Sequence, residues 1–236
     1  MKTTLSIIIV ATVMILIVAC TSNNSSDTEV VVVRDITELH LSQPKSVEIN
    51  ALFDLDKDKW KGAVFHFVDI TDVSYNRTYE ASIEGENQWL SNEFERRKKV
   101  EGFYADISKI LTGSEKDSIG RDNSSVYAPI ARELNRLHES TASKRILLLY
   151  SDLMENTTGM SFYNGQKLGL LKTNPDSISK YFETLVPLEN LKGIKIYIIF
   201  QPNGIGQDEQ FKIVSGFYKN LFENKGAEAE ITANIK

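Results

Sequence analysis

Continuous apolar runs alternate with amphipathic stretches along this chain, and the two patterns predict strands and helices in turn. Strand-like runs occupy residues 29–36, 62–71, 77–84, 145–151, 194–200 and 227–235. Apolar residues at helical spacing predict helices over residues 46–55, 86–111, 124–140, 175–186 and 208–226. Strands separated by helices of ten or more residues indicate a parallel sheet with helices on both faces.

The kind of apolar run also predicts where each strand lies in the sheet. Residues 30–33, 146–149 and 196–200 are apolar without alternation, which is typical of central parallel strands that are buried on both sides. Residues 77–84 and 227–235 alternate polar and apolar positions, which favours the edges of a sheet. The predicted fold class is therefore α/β, with a doubly wound and mostly parallel sheet and an antiparallel edge strand.

The first twenty residues have the pattern of an export signal rather than of a folded element. Lys2 precedes an apolar run over residues 5–18, and this run is shorter than the roughly 20 residues of a membrane-spanning helix. We therefore expect residues 1–19 to be a signal peptide, with a single N-terminal anchor helix as the alternative. The polar residues up to position 28 predict a flexible tether, and residues 29–236 predict one domain.

The end of this signal, Ile-Val-Ala-Cys at residues 17–20, resembles the lipobox of bacterial lipoproteins. The resemblance implies that Cys20 is lipidated and becomes the mature N-terminus. Lipids would then hold the domain on a membrane of the bacterial cell envelope, on the periplasmic or surface side. Cys20 is the only cysteine, so the domain forms no internal disulfide. The net charge of −5 argues against nucleic acid as a partner.

Oxygen-bearing side chains follow two of the central strands. Asp35 and Thr37 come after the first strand, Ser151 and Asp152 come after the strand at 145–151, and Ser124 begins a helix. In an open parallel sheet, ligands bind at the carboxyl ends of the strands. Carboxylate and hydroxyl oxygens suit Mg²⁺, Mn²⁺ or Ca²⁺ rather than Zn²⁺. These residues therefore form a candidate site for a divalent cation.

Three segments resemble, in order and spacing, a von Willebrand factor A domain. They are the strand-Asp-x-Thr at 30–37, the loop and helix "GRDNSSVYAPI" at 120–130, and the strand-Ser-Asp at 146–152. The resemblance covers residues 29–235. It implies a Rossmann-like doubly wound sheet and a metal-ion-dependent adhesion site. It also implies a protein partner, whose carboxylate completes the shell of the metal.

The ligand positions of that family fall on Asp35, Thr37, Leu39, Ser124 and Asp152. Leu39 stands where the family has a serine and cannot bind a metal. The resemblance therefore implies a degenerate site with Asp35, Thr37, Ser124 and Asp152 as metal ligands, and Ser125 is an alternative to Ser124. In a metal-free form, the two aspartates would repel each other unless a proton or a basic partner intervened, and Arg34 or Arg121 could be that partner.

The remaining candidates are weaker. His66 lies within an apolar strand and is expected to be a hydrogen-bonded core histidine. The basic run at 96–99 predicts a solvated helix face, with anionic lipid headgroups or an acidic partner as alternative contacts. Trp60 and Trp89 are expected to pack in the core or against a helix.

These observations support one leading functional hypothesis, which is a lipid-anchored binding module without enzymatic activity. A metal-dependent hydrolase is the first alternative, in which Asp35, Asp152 and a cation activate water. No histidine or lysine is evident at the site to act as its base. A structural lipoprotein without a site is the second alternative.

Overall fold

A computed structural model describes residues 27–36, 42–70, 76–114 and 124–235. The strands are β1 (Thr28–Asp35), β2 (Ala63–Ile70), β3 (Asn76–Ile83), β4 (Lys144–Tyr150), β5 (Ile194–Ile199) and β6 (Glu228–Thr232). The helices are α1 (Ser46–Leu52), α2 (Glu93–Ser114), α3 (Tyr127–Glu139), α4 (Gly165–Thr173), α5 (Pro175–Leu185) and α6 (Ile205–Asn224).

The six strands form one sheet in the order β3-β2-β1-β4-β5-β6. All neighbouring strands are parallel except β2 and β3, which are antiparallel. The predicted α/β class with a mostly parallel sheet and an antiparallel edge strand is therefore confirmed. The two alternating segments form the edges, as predicted, and the unalternating segments form the centre.

Helices cover both faces of this sheet because the side chains of β1 alternate between two cores. Val31 and Val33 lie in one core, with apolar residues of α3, α4, α5 and α6. Val30 and Val32 lie in the other core, with apolar residues of α1 and α2. Successive residues of β1 therefore point to opposite faces of the sheet. Polar side chains of this strand can meet only groups on their own face.

The order of the strands places a topological switch point between β1 and β4. From β1 the chain first adds β2 and β3 on one side, and it then returns to add β4, β5 and β6 on the other side. In open α/β sheets, the crevice outside the carboxyl ends of the strands at such a point is where ligands bind. The carboxyl ends of β1 and β4 are therefore the first place to look for a site.

Two helices differ from the prediction. The predicted helix over 86–111 begins later, at Glu93. Leu90 lies before the helix and is 86% exposed, and Phe94, in its first turn, is 66% exposed. Helix α4 was not predicted. It contains two glycines, and Asn164 caps its start by accepting hydrogen bonds from the amides of Gln166 and Lys167.

Several local signals of the sequence have the expected structural effect. Pro129 lies in the first turn of α3, where its missing N–H is tolerated. Gly226 follows the end of α6 with a φ of 97°, a conformation that favours glycine.

Within the part of the chain that the structure describes, none of the helices combines the length and the apolar character needed to cross a membrane. The predicted signal peptide and Cys20 lie outside this part.

Candidate functional site

The carboxyl ends of β1 and β4 bring together residues that are far apart in the sequence. Strands β1 and β4 are direct neighbours, with Arg34 opposite Tyr150. Asp35 is the last residue of β1, and Ser151 and Asp152 directly follow β4. All three side chains are buried. The candidate site therefore lies at the topological switch point.

Asp35 is the residue on which two hydroxyl groups converge. The Oγ atom of Ser124 lies 3.2 Å from Oδ2 of Asp35, and the Oγ atom of Ser151 lies 3.4 Å from the same oxygen. Each hydroxyl donates to the carboxylate. The structure thus brings Asp35, Ser124 and Ser151 together, three of the residues that the sequence predicted at this edge.

A tight turn after β4 fixes the positions of Ser151 and Asp152. The hydroxyl of Ser151 accepts a hydrogen bond from the amide of Leu153 at 2.8 Å, and Oδ1 of Asp152 accepts one from the amide of Met154 at 2.9 Å. Leu153 has a φ of 63°, which is uncommon for a residue with a side chain. One carboxylate oxygen of Asp152 therefore has a structural role in this turn.

Backbone pairing holds Ser124 next to the same turn. The amide of Ser124 donates to the carbonyl of Asn156 at 3.0 Å, and the amide of Asn156 donates to the carbonyl of Ser124 at 2.8 Å. This isolated bridge joins the start of α3 to the segment after β4. Its geometry places the hydroxyl of Ser124, rather than that of Ser125, against Asp35.

Glu155 is a third carboxylate of the site, and the sequence prediction did not include it. Its Oε2 atom accepts hydrogen bonds from the amides of Val126 and Tyr127, both at 2.9 Å. Val126 itself caps α3 without any side-chain hydrogen bond, so Glu155 satisfies the first amides of this helix from another segment. Its Oε1 atom is buried and has no hydrogen-bond partner among the described residues.

Burial is the main cause that raises the pKa of Glu155, to about 7. The amides of Tyr127 and Val126 lower this pKa, and the negative charge of Asp35 raises it further. No local signal in the sequence marks Glu155, which lies three positions after Asp152 and is recognised only by its contacts with the start of α3.

Tyr218 of α6 is buried in the core that lies on the same face of β1 as Val31 and Val33. Its hydroxyl is fully buried and has no hydrogen-bond partner within the described parts of the chain. Burial raises the pKa of Tyr218 well above its ordinary value, and the charges of Glu155, Asp152 and Asp35 add to the increase. The negative charges of all three carboxylates therefore disfavour ionisation of this hydroxyl, which stays protonated.

Arg34 does not serve as the basic partner of the aspartates, so this part of the prediction is wrong. Its side chain points to the opposite face, where Nε and Nη2 donate to the two carboxylate oxygens of Asp69 at 2.8 and 3.1 Å. Nη1 donates to Gln43 at 2.7 Å, and the guanidinium lies over the ring of Phe67.

The other predicted site residues, Thr37 and Cys20, lie outside the described residues, as do Leu39 and Arg121.

His66 occupies the core position that the sequence suggested. Its Nδ1 atom lies 2.8 Å from Oε2 of Glu133, and Arg136 donates to the same oxygen of Glu133 and also to Glu29. This ionic network joins β2, α3 and β1 at a distance from the carboxyl edge. His66 is therefore engaged in packing the helix on the sheet.

The donor set at the carboxyl edge is suited to a hard divalent cation. Asp35 and Asp152 supply carboxylate oxygens, and Ser124 and Ser151 supply hydroxyl oxygens. Among the described residues, no group of three or more histidine, cysteine, aspartate or glutamate side chains is arranged to hold a metal ion. A site with two carboxylates and additional hydroxyl ligands does not require such a group.

Comparison with known protein families and with curated proteins finds no match for this chain.

Proposed function

We propose that this chain is a lipid-anchored protein of the bacterial cell envelope, whose α/β domain binds a protein partner at the carboxyl edge of its sheet. A divalent cation, Mg²⁺, Mn²⁺ or Ca²⁺, would be held there by Asp35, Ser124 and Asp152, with Thr37 as a further ligand. This is the arrangement of a von Willebrand factor A-like domain with a degenerate adhesion site.

One observation carries the proposal, namely the convergence of Ser124 and Ser151 on Asp35 at the topological switch point. Three segments from different parts of the chain supply one oxygen cluster at the place where α/β folds bind ligands. The orphaned oxygen of Glu155 adds negative potential to the same place. A cation would neutralise this potential.

Each residue then has a defined role in binding. Asp35 and Asp152 supply the negative charge that attracts a cation. The hydroxyls of Ser124 and Ser151 hold Oδ2 of Asp35 in position to bind this cation. When bound, the cation would offer a coordination position to a carboxylate of the partner. The mechanism is recognition without bond breaking. His66 is held by Glu133 and does not provide a base for the hydrolase alternative.

The burial of the cluster favours a second candidate function, in which the cluster is purely structural. Asp35, Ser124, Ser151 and Asp152 are all less than 5% exposed. In this case the hydroxyl and carboxylate groups form a cation-free cross-link between β1, β4 and the start of α3. The protein would then be a structural lipoprotein whose sheet edge binds no ligand.

Thermal unfolding with and without cations separates the two candidates. The full chain is kept in detergent micelles and titrated with MgCl₂, MnCl₂ or CaCl₂ against an EDTA control. A cation at about 100 times its Kd should raise the melting temperature by roughly 5–10 °C for a domain of this size. The variants Asp35→Asn and Asp152→Asn should lose this increase.

Asp69→Asn is the matched control. Asp69 lies near the same edge but faces the other core and is paired with Arg34, so its variant should unfold at a lower temperature and keep the response to cations. If wild-type protein shows no increase, or if all three variants retain it, the cation site is refuted and the structural candidate stands.

A further inference from the structure

Three large apolar side chains project into solvent where α2 begins, two in the preceding turn and one in the first turn of the helix. Trp89, Leu90 and Phe94 are 90%, 86% and 66% exposed, so the prediction that Trp89 packs in the core or against a helix is wrong. They lie within six consecutive residues, whereas the other large exposed apolar side chains of the described residues are separated along the sequence. We call these three residues the amino-edge patch.

The amino-edge patch is held rigidly at the amino ends of the parallel strands. The amide of Glu86 donates to the carbonyl of Trp60 at 2.8 Å, just before β2 begins. The buried side chain of Arg96 donates to the carbonyls of Lys61 and Glu84 at 2.6 and 2.7 Å, and it also donates to the carbonyl of Lys59. These bonds fix the turn and the first part of α2 to the edge of the sheet.

The N-terminal segment of the chain reaches the fold at this same edge. The amide of Asp27 donates to the carbonyl of Gly62 at 2.9 Å, and the carboxylate of Asp27 accepts the amide of Gly62 at 2.9 Å. Gly62 directly follows Lys61, to which Arg96 is bonded. The amino-edge patch therefore lies beside the point where residues 1–26, with their apolar run at 5–18, are joined to the domain.

The chemistry of the amino-edge patch fits the interface between lipid headgroups and acyl chains. Tryptophan prefers this interface, and leucine and phenylalanine insert more deeply. The ammonium group of Lys98 lies 4.5 Å from the ring of Phe94. Arg97 and Lys99 are exposed close by, where they form surface ion pairs with Glu93 and Glu86. Long basic side chains can place their charges among headgroups while their stems lie along apolar surface.

We propose that the amino-edge patch inserts into the surface of the lipid bilayer and orients the domain on the membrane. The candidate site, at the opposite end of β1, would then face away from the bilayer. This inference rests on the proposed function only for the membrane location, and it does not depend on a cation. A second protein on the patch is the competing occupant, and the experiment below separates the two.

Tryptophan fluorescence tests the proposal in the full chain, because the protein has only two tryptophans, Trp60 and Trp89. The variant Trp60→Phe leaves Trp89 as the only reporter. This chain is reconstituted in vesicles of phosphatidylcholine and phosphatidylglycerol, with or without bromine atoms on the acyl chains. Insertion by about 5–10 Å should bring Trp89 within reach of the bromines and quench about half of its emission or more.

A reporter at the other edge of the sheet is the matched control. Ile205 begins α6 after the carboxyl end of β5 and is 82% exposed. In a chain with Trp60→Phe, Trp89→Phe and Ile205→Trp, the emission should be quenched by acrylamide in the water and not by the brominated lipid. Leu90→Glu combined with Phe94→Glu, in the Trp60→Phe chain, should abolish the quenching of Trp89 by brominated lipid.

Three results would overturn the proposal. In the first, Trp89 is quenched only by acrylamide, as in the control. In the second, Trp89 is shielded from both quenchers, which would identify a protein surface as the occupant. In the third, the chain does not sediment with the vesicles at all. Failure of the cation site is a separate result, since Asp35→Asn should leave the quenching by brominated lipid unchanged.

Discussion

The hydroxyl of Ser124 donates a hydrogen bond to Asp35 across 89 positions of the sequence, over a distance of 3.2 Å. This contact joins the carboxyl end of β1 to the segment that begins α3. Both residues are buried, so the bond is protected from competition by water. It is therefore the contact through which the geometry of the candidate site can be tested most directly.

Replacing Ser124 by alanine should lower the free energy of unfolding by about 1–2 kcal/mol, because a buried hydrogen bond to a carboxylate is lost. The same variant should reduce the increase in melting temperature that a divalent cation produces. Urea unfolding followed by circular dichroism measures the first effect. Ser179→Ala is the control, since this hydroxyl is half-buried and donates to the carbonyl of Pro175 in its own helix. Equal losses in the two variants would contradict the role of Ser124.

The free energy of unfolding should depend on the protonation of Glu155. Its pKa is about 7 in the folded protein, against an ordinary value of 4.5, so the folded state binds more protons than the unfolded state between these values. The contribution of this group is therefore fully present below pH 4.5 and is lost as the pH rises through 7. The difference amounts to about 3 kcal/mol.

The measurement compares wild type with Glu155→Gln by urea unfolding at several pH values, in EDTA. Glutamine keeps an acceptor for the amides of Val126 and Tyr127 but does not titrate. The stability of the variant relative to wild type should therefore increase with pH over this window. Glu101→Gln, at an exposed position of α2, provides the control. Parallel profiles for wild type and Glu155→Gln would refute the assignment.

Arg34→Met should destabilise the fold by about 3–5 kcal/mol, because Asp69 would keep its charge in the core without the guanidinium that it now binds. Combining Arg34→Met with Asp69→Leu should recover much of this loss, since both charges are then removed. Denaturant unfolding of the two single variants and the double variant forms a complete cycle. Strictly additive losses would show that the pair is not coupled.

Arg96 and Arg97 are adjacent in one basic run but should respond very differently to substitution. Arg96→Lys should lower the free energy of unfolding by about 3 kcal/mol, because the buried guanidinium donates to three carbonyls that a lysine cannot reach at once. Arg97→Lys should change it by less than about 0.5 kcal/mol, since this side chain is exposed and forms only a surface ion pair with Glu93. Thermal unfolding is sufficient to distinguish them.

The general architecture could be predicted because the apolar runs of the central strands are unambiguous. Four consecutive valines in β1 are fully buried. A surface helix or an edge strand would need polar residues on its exposed face, whereas a central parallel strand needs none. The separation of Arg34 from Asp35 could also have been predicted, because neighbouring residues of a strand point to opposite faces. Because of this alternation, Arg34 binds Asp69 on one face, and Asp35 accepts hydrogen bonds from Ser124 and Ser151 on the other.

Other features depend on contacts that a single sequence does not reveal. Helix α4 has two glycines and little amphipathic pattern. The helix is stabilised by the packing of Leu171 in the core rather than by helical propensity. Glu155 has its role because α3 lacks a cap of its own, and this is a tertiary relationship. Leu90 lies within the segment predicted as a helix, 86–111, but the helix begins only at Glu93.

Strand β1 connects the two ends of the proposed arrangement, which would give it a mechanical role. Its eight residues span roughly 26 Å between the tether at Asp27 and the site at Asp35. A partner that pulls on the site while the tether resists would load β1 along its own axis. The strand is hydrogen-bonded to β2 and to β4 along its length, so these bonds would share the force in shear instead of opening one after another.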